Sequence, residues 1–501
     1  MSTGTGEVDA SGDEEAMRSR GSSLMSDALR EGLLGAVIEG SPYSGGGARA
    51  GGVGGDDDAQ RRLGGIRSSV YTLVSTMMGG GVLSLPYAMQ EAGLLLGPLL
   101  LFVICLASRL SLWLVLTAGC SLRAASYEEM VALTLGRRWA VVVTVILLLL
   151  LWFVIVAYSI LLGDLLGPVL AYGARAAGVA VSDAAVGSHG FVSLRTGAML
   201  VGHAAVLPVT TRGSLSAMRS TTAISLGSTL LLALLISARS VAAMVARGSA
   251  LRAGASAAAV LAPSGQPVLG ALTSTSIISV SFLCHFNVLP VSEELARPSK
   301  QRFRKVVDRA TAVAGVLYLC VGVLGCLQFT DGAGGVHGNI LTNYDTDDAL
   351  INVGRLGLSL TVSIGIALMV HPLRSAARRL LNSVRELKAT PADARAPGPA
   401  GTAAAPSGMP REVLEALAIQ SSGMLAAILI PEITVVWSFM GSTVCMLVGY
   451  VLPAACYLAL RRWGSSAHRR YWRGAWALAV AGSALTVVCT ASTLTQYSNS
   501  L

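Results

Sequence analysis

"TMMGGGVLSLPYAMQEAG", residues 76–93, places three consecutive glycines and a proline inside an otherwise apolar run. A glycine in a helix interior costs about 1 kcal/mol relative to alanine, so Gly79, Gly80 and Gly81 are poorly suited to a continuous helix. In a bilayer, unwound backbone is tolerated only where protein buries it or where it lines a water-filled cavity. The stretch therefore predicts one of two things: a helix break that can hold an anion, or a groove of small residues for close helix packing.

The composition of the chain is that of an all-α integral membrane protein. Of its 501 residues, 53% are hydrophobic and 13% are charged, and the mean hydropathy is +0.63. Near-uncharged stretches such as residues 140–163 are long enough to cross about 30 Å of hydrocarbon, so the lipid bilayer is the expected surrounding. We assign the net charge of +9 to loops and expect no nucleic-acid partner. The eight cysteines lack zinc or disulfide spacing, and we expect neither a metal nor a cofactor.

About eleven transmembrane helices can be placed along the sequence. Residues 1–64 are rich in Gly, Ser and acidic side chains and predict a disordered cytoplasmic tail. Residues 65–462 hold ten predicted helices, and residues 463–501 hold the eleventh and a short C-terminus. The predicted spans are 66–88, 93–118, 139–163, 197–211, 220–241, 269–290, 310–329, 350–372, 413–431, 434–460 and 473–493.

The distribution of Lys and Arg predicts the orientation of these spans. With the N-terminus in the cytoplasm, the inside loops carry 23 basic residues and the outside loops carry five. Eleven spans then leave the C-terminus on the extracellular or lumenal side. Arg109, in the middle of span 2, should find a structural partner such as a backbone carbonyl or Asp164.

Span 6 is interrupted like span 1. It reads "TSTSIISVSFLCHFNVLP", residues 273–290, and crowds Cys284, His285, Asn287 and Pro290 into about two turns. Polar groups at this depth are expensive and usually functional. Two interrupted spans at corresponding positions predict an inverted repeat of five plus five helices, with span 11 appended.

These stretches resemble the amino acid/auxin permease family, especially its sodium-coupled neutral amino acid transporters and its plant vacuolar amino acid transporters. "GGGVLSLPYAMQEAG" is similar to the family's first helix, and "SFLCHFNVLPVSEELARPSKQRFRKV" to its sixth helix and the basic loop after it. "SYEEMVALTLGRR" and "NYDTDDALINVGRLGLSLTVSIGIALMVHPLRSA" also resemble family segments. The resemblance implies a LeuT-like fold of the APC superfamily and a secondary transporter that moves amino acids by alternating access.

By this resemblance, the substrate carboxylate would lie on the backbone of the first break, and the amino group would face carbonyls of both breaks. Such contacts recognise the part common to all amino acids, and the absence of an acidic residue from both breaks favours neutral substrates. The predicted substrate-binding residues are Ser75, Met78, Gly79, Gly80, Gly81, Ser279, Val280, Phe282 and Leu283.

The coupling ion remains open between H⁺ and Na⁺. Where sodium-coupled relatives carry an asparagine in helix 1 and a threonine in helix 8, this chain has Ser75 and Ser363. A hydroxyl is a poorer sodium ligand than an amide carbonyl, which raises the case for a proton or for exchange. His285 could titrate near neutral pH and carry a proton, but a hydrogen bond that fixes the span 6 break is favoured for its side chain.

Several other functions stay open or are disfavoured. The chain could be an amino acid sensor that signals through its cytoplasmic tail, or a transporter of cationic or acidic amino acids. A channel is disfavoured because no ring-forming selectivity element is visible. An enzyme is not expected, since no nucleophile–base set or phosphate-binding loop occurs in a suitable context. The sequence favours neither the plasma membrane nor a vacuolar or lysosomal membrane, and the oligomeric state is open.

Overall fold

The computed structural model describes residues 65–187, 190–211, 221–246, 266–295, 299–329, 335–388, 411–430, 432–460 and 471–500. These ranges are almost entirely helical, and nine of their helical runs are long and apolar enough to cross a membrane. Helix lies over each of the eleven predicted spans, but the count of eleven stays a prediction. The predicted tail 1–64 and the linker 389–410 lie outside the described residues.

The first predicted span is broken at its glycines. Helix α1 (Ile66–Met77) ends at Met78, and Gly79 is extended before a 3₁₀ turn at Gly80–Ser84. Helix α2 (Leu85–Leu122) begins with proline in its first turn, a position that needs no N–H donor. Residues 80–122 would be about 64 Å long as one straight helix, twice the hydrocarbon thickness. Gly93, with φ 80°, divides the run into the end of predicted span 1 and predicted span 2.

A short helix, α3 (Tyr127–Leu135), follows, and its start is fixed by two side-chain hydrogen bonds similar to those of a capping box. Ser126 Oγ accepts from the N–H of Glu129, and Glu129 Oε2 accepts from the N–H of Ala125 at 2.7 Å. The first half of the chain continues with α4 (Arg137–Ala176), α5 (Asp183–Val186), α6 (Leu194–Thr211) and α7 (Thr221–Ala246).

The sixth predicted span is broken as well. Helix α8 (Pro267–Ser281) ends at Phe282, a 3₁₀ turn covers His285–Asn287, and α9 (Val288–Glu293) completes the span. The remaining elements are α10 (Lys300–Phe329), a 3₁₀ turn at Ile340–Asn343, α11 (Ala349–Lys388), α12 (Arg411–Leu429), α13 (Ile433–Met440), π-helical turns at Gly441–Cys445 and Leu447–Val451, α14 (Leu452–Ala459) and α15 (Trp472–Ser500).

Two groups of helices meet around the breaks. Helix α2 packs against α10 and α8, so both broken spans and α10 form one layer. Helix α4 packs against α11, α6 and α12, which form the facing layer. One continuous core of buried apolar side chains joins the layers and includes Leu73, Leu161, Phe282 and Trp437.

Three charged side chains within the helices, those of Arg109, Asp164 and Arg355, have polar partners. The predicted partners of Arg109 are wrong: its Nε lies 2.8 Å from Asp308 Oδ1 on α10. Asp164 instead pairs with Arg195 on α6, also at 2.8 Å. Arg355, near the start of α11, is 1% exposed and donates to carbonyl oxygens of the preceding loop. Each of these groups therefore avoids an unpaired charge in an apolar surrounding.

Candidate functional site

The two helix breaks open onto one cavity of about 620 Å³. Helices α4 and α11 form its opposite wall, and α13 closes one side. The residues that line it around the breaks are Ser75, Met78, Gly79, Gly80, Gly81, Val280, Ser281, Leu283, Phe286, Asn287, Tyr158, Thr361, Gly365, Trp437 and Met440.

Most of the predicted substrate-binding residues reach this cavity, but two do not. Ser75, Met78, the three glycines, Val280 and Leu283 line it. Ser279 is buried and donates its hydroxyl to the carbonyl of Thr275. The ring of Phe282 packs edge-on against Tyr318, 5.1 Å between centroids. Both side chains therefore stabilise the second break from behind it.

The three candidates for binding the coupling ion lie in different environments. Ser75 lines the cavity, whereas Ser363 does not, although its neighbours Val362 and Ile364 do. His285 is 1% exposed and lies off the cavity, and neither ring nitrogen has a hydrogen-bond partner within the described ranges. The hydrogen bond favoured for His285 is therefore not found in this part of the chain.

The glycines combine a helix break with close packing. A Cβ on Gly79 would lie 3.1 Å from Tyr158 Oη, and one on Gly81 would lie 2.9 Å from Ser281 Oγ. A Cβ on Gly80 would collide with Leu161. Gly80 and Gly81 also begin a 3₁₀ turn, where the first N–H groups have no acceptor within the helix. The backbone thus presents donors where a side chain would not fit.

One tyrosine holds the two breaks together. Tyr318 Oη of α10 lies 2.7 Å from the carbonyl oxygens of both Met77 and Ser281, and it donates to one of them at a time. Asn287 Nδ2 adds a second link, at 3.1 Å to Thr76 Oγ1. Hydrogen bonds from Tyr318 and Asn287 therefore link the two breaks to each other.

Several polar side chains of the cavity were missed by the sequence analysis, and two of them, Tyr158 and Trp437, lie against the first break. Tyr158 lies in the long apolar helix α4, and its hydroxyl faces Gly79. Trp437 is 2% exposed, lies against Gly80, and its Nε1 has no acceptor in the part of the chain that the structure describes. The sequence does show a hydroxyl and an indole N–H within apolar spans. Nothing in it shows that these two groups lie beside the helix breaks.

The described lining of the cavity contains no aspartate or glutamate. Its polar groups are hydroxyls, backbone groups, one carboxamide and the indole N–H, together with His371 and Arg374 at one end. Arg374 Nη1 is directed to the carbonyl oxygens of Thr210 and Glu412, at 3.4 and 3.2 Å. The site can therefore hold a molecule that needs both donors and acceptors, without an anionic side chain.

The cavity is elongated along α11. Its lining runs on this helix from Leu358 to Ser375, about 26 Å at 1.5 Å per residue. Among the described residues that line it, none comes from the loop 335–348 at the other end of the helices. The cavity thus extends from the breaks toward the end of α11 that carries Arg374.

Comparisons with known proteins agree with this architecture. A family model described as "Transmembrane amino acid transporter protein" matches residues 62–495. The chain is 25% identical over 411 residues to the amino acid transporter AVT6E of Arabidopsis thaliana, covering 80% of this chain and 77% of that protein. It is 26% identical over 295 residues to a putative sodium-coupled neutral amino acid transporter 11 of Bos taurus, covering 59% of each chain.

A solved structure, that of MhsT in complex with L-phenylalanine, shares the fold. The TM-score is 0.50 at 14% sequence identity, and the match covers 85% of this chain and 98% of MhsT. MhsT has the LeuT fold. From the family match and this likeness, the chain belongs to the transmembrane amino acid transporter family and has the LeuT-like fold.

Proposed function

We propose that this chain is a secondary transporter of neutral amino acids and that it binds its substrate in the cavity between the two helix breaks. The observation that carries the proposal is the meeting of both breaks, with their unpaired backbone groups, on one cavity of about 620 Å³. Discontinuous helices of this kind hold the charged ends of a substrate with backbone dipoles.

The substrate carboxylate would accept hydrogen bonds from the N–H groups of Gly80 and Gly81, with the positive end of the following helix behind them. The hydroxyl of Tyr158, which lies beside Gly79, and the indole N–H of Trp437, which has no acceptor in the described ranges, would add donors. The substrate amino group would donate to carbonyl oxygens of the breaks, of which Met77 and Ser281 already share Tyr318.

Neutral side chains are favoured by what lines the rest of the cavity. The described lining offers no carboxylate to a cationic side chain, and the guanidinium of Arg374 is engaged with two carbonyl oxygens. Leu150, Leu151, Val154 and Met440 supply apolar surface instead. The plant and bovine relatives, named as amino acid and neutral amino acid transporters, support this class.

The orientation follows from charge, with the N-terminus in the cytoplasm and the C-terminus on the extracellular or lumenal side. The excess of Lys and Arg in the loops on the Arg374 side supports it. The cavity would then extend toward the cytoplasm, as one state of an alternating-access cycle. The plasma membrane and a vacuolar or lysosomal membrane both fit, and the coupling ion is H⁺ or Na⁺, with Ser75, Ser363 and His285 as predicted candidates.

The proposal is tested by uptake of a panel of radiolabelled amino acids into proteoliposomes under imposed Na⁺ or pH gradients. Wild type is compared with Gly79→Ala, which adds a methyl group 3.1 Å from Tyr158 Oη at a φ that alanine tolerates. We expect neutral amino acids to be taken up and Gly79→Ala to raise KM about tenfold, since about 1.4 kcal/mol corresponds to a factor of ten.

The matched control is Gly227→Ala on α7, where a Cβ meets no atom within 4 Å. It should transport like wild type. If neither wild type nor control moves any amino acid in either gradient or in counterflow, the proposed function is wrong. If Gly79→Ala leaves KM unchanged, the substrate lies elsewhere.

A further inference from the structure

A buried polar network beside the cavity takes no part in the substrate contacts proposed above. Its centre is His203 on α6, which is 7% exposed. His203 Nε2 lies 2.9 Å from Ser159 Oγ on α4, and Nδ1 lies 3.2 Å from Gln420 Oε1 on α12. An ionisable group inside a membrane helix is costly, so a bonded imidazole at this position indicates a function.

The hydrogen bonds around Nδ1 form a chain with one direction. Thr210 Oγ1 donates to the carbonyl oxygen of Leu207 at 2.9 Å and accepts from Gln420 Nε2, 2.8 Å away. The carboxamide oxygen of Gln420 therefore faces His203 and accepts. Nδ1 consequently carries a proton in every protonation state of the ring, and proton uptake is confined to Nε2.

Ser159 can serve both protonation states of Nε2. Its Oγ lies within reach of Nε2, at 2.9 Å, and of the Ile155 carbonyl oxygen, at 2.8 Å. When the imidazole is neutral, the hydroxyl donates to the Nε2 lone pair. When Nε2 is protonated, its N–H donates to Ser159 Oγ, and the hydroxyl turns to the Ile155 carbonyl. Rotation of one O–H is thus enough to satisfy the ring before and after it gains a proton.

Several charged groups on the neighbouring helices are bonded to partners other than His203. On α4, Asp164 pairs with Arg195, which lies eight residues from His203 along α6, about 12 Å. No carboxylate in the described ranges bonds to His203, so its proton is not locked in place. Other charged or titratable groups of the elements packed on α6 also have partners. These pairs are Arg175 with Asp183 and Asp347, Arg355 with two carbonyls, His371 with the Val209 carbonyl, Arg374 with two carbonyls, Arg378 with Glu412 and Glu415, and Arg411 with Glu415.

The network is also adjacent to the substrate cavity at two places. Ser159 directly follows Tyr158, whose hydroxyl faces Gly79 in the first break. At the other end, His371 and Arg374 line the cavity and bond to the carbonyl oxygens of Val209 and Thr210 on α6. A movement of the first break during the transport cycle would reach Ser159 through Tyr158 and would thereby change the affinity of Nε2 for a proton.

We propose that His203 Nε2 binds the proton that is transported together with the amino acid. The inference rests on the proposed transport function and assigns its coupling ion. One proton binds to the Nε2 lone pair from one side of the membrane and is released from the same atom to the other side, and no bond other than N–H forms or breaks.

The test uses proteoliposomes with a pH-sensitive dye inside and the neutral amino acid that wild type exchanges fastest. Wild type is compared with His203→Gln, which keeps a polar side chain but cannot take up a proton. We expect His203→Gln to retain counterflow without a gradient, and to lose both accumulation in a pH gradient and amino-acid-dependent acidification of the lumen. The control His337→Gln, in an exposed loop, should behave like wild type.

A second variant, Ser159→Ala, tests the geometry if His203→Gln does not fold. It removes the acceptor of the protonated ring, and hydrogen bonds to a charged donor are the stronger ones, so the pH of half-maximal uptake should fall. We expect about one pH unit, a tenfold loss of proton affinity, from one such bond. An unchanged pH profile would overturn the inference.

The remaining outcomes separate the inference from the proposed function. If His203→Gln still accumulates substrate in a pH gradient, or if His285→Gln alone abolishes proton movement, His203 is not the site. If wild type exchanges amino acids but only a Na⁺ gradient drives uptake, the inference fails and the transport function stands. If wild type shows no counterflow at all, the proposed function fails first.

Discussion

At the scale of single residues, Trp437 is the most informative side chain of the cavity. Its indole is almost fully buried against Gly80, yet its N–H has no acceptor in the described part of the chain. A buried donor without a partner costs about 1–3 kcal/mol. A substrate carboxylate or carbonyl beside Gly80 would accept from this N–H and remove that cost. Removal of the cost would add to the favourable free energy of substrate binding.

Trp437→Phe should therefore weaken substrate binding with little effect on folding. We expect KM for uptake to rise about fivefold, close to the 1 kcal/mol of one net hydrogen bond, with kcat nearly unchanged. Concentration-dependent uptake in proteoliposomes measures this change. Trp476→Phe on α15, 50% exposed, is the matched control and should leave KM as it is. An unaltered KM in Trp437→Phe would show that the indole N–H does not bind the substrate.

The sequence located the helix breaks but not all the side chains around them. The cost of glycine in a helix interior and the resemblance to the family motif both predicted a break at Gly79, Gly80 and Gly81, because glycine acts directly on the backbone conformation. Ser363 was placed by counting along helix 8, and two positions in a helix turn the side chain by about 200°. Thr361, two residues earlier, lines the cavity instead. Tyr158 could not be selected at all, since its contact with Gly79 joins distant parts of the chain.

At the scale of elements, Tyr318 decides how the two broken helices are held. Each break frees carbonyl groups from their regular helical partners, and one hydroxyl on α10 reaches those of Met77 and Ser281, of which Met77 also accepts from the N–H of Gly79. Tyr318 is fully buried, so bulk water cannot replace its hydroxyl as a hydrogen-bond donor. The three elements are therefore expected to move as a unit.

Tyr318→Phe should lower stability, because it leaves the buried carbonyl group of Ser281 without its donor, whereas that of Met77 keeps the N–H of Gly79. We expect a loss of about 1–3 kcal/mol in the free energy of unfolding. The thermal unfolding midpoint of the purified protein in detergent should fall accordingly, and uptake at a permissive temperature should fall as well. Tyr172→Phe, half-exposed at the far end of α4, is the control. Equal midpoints for the two variants would mean that the hydroxyl of Tyr318 does not hold the breaks.

The π-helical turns after α13 are an element that the sequence did not predict. They cover Gly441–Cys445 and Leu447–Val451, within a stretch that reads as an ordinary apolar span. Wider turns redirect backbone carbonyls, and the carbonyl of Val448 accepts from Tyr127 Oη at 2.8 Å while that of Gly449 accepts from Ser111. These partners lie more than 300 residues away in sequence, so only the folded chain could reveal them.

At the scale of the whole molecule, the charged pairs show how the apolar chain is assembled. Composition and periodicity placed the helices, because a helix that crosses lipid must satisfy its own backbone. They suggested Asp164 as a partner of Arg109, but Arg109 pairs with Asp308, since pairing depends on which helices become neighbours. The pair of Asp164 with Arg195 joins α4 to α6, and Asn339 Nδ2 links it to the loop before α11 at 3.3 Å.

The loss of Asp164 should therefore destabilise the whole assembly. The two side chains of the pair are 12% and 7% exposed, and Asp164→Asn would leave Arg195 without its carboxylate. Removal of one partner of a buried pair typically costs about 3–5 kcal/mol, whereas replacement of both costs less. We expect Asp164→Asn to lower the thermal midpoint strongly, and Asp164→Asn with Arg195→Met to recover part of the loss. Arg411→Gln, which breaks a pair at a 69% exposed arginine, should cost no more than about 1 kcal/mol. A double variant no more stable than Asp164→Asn alone would show that Arg195 is held by other groups and not by this carboxylate.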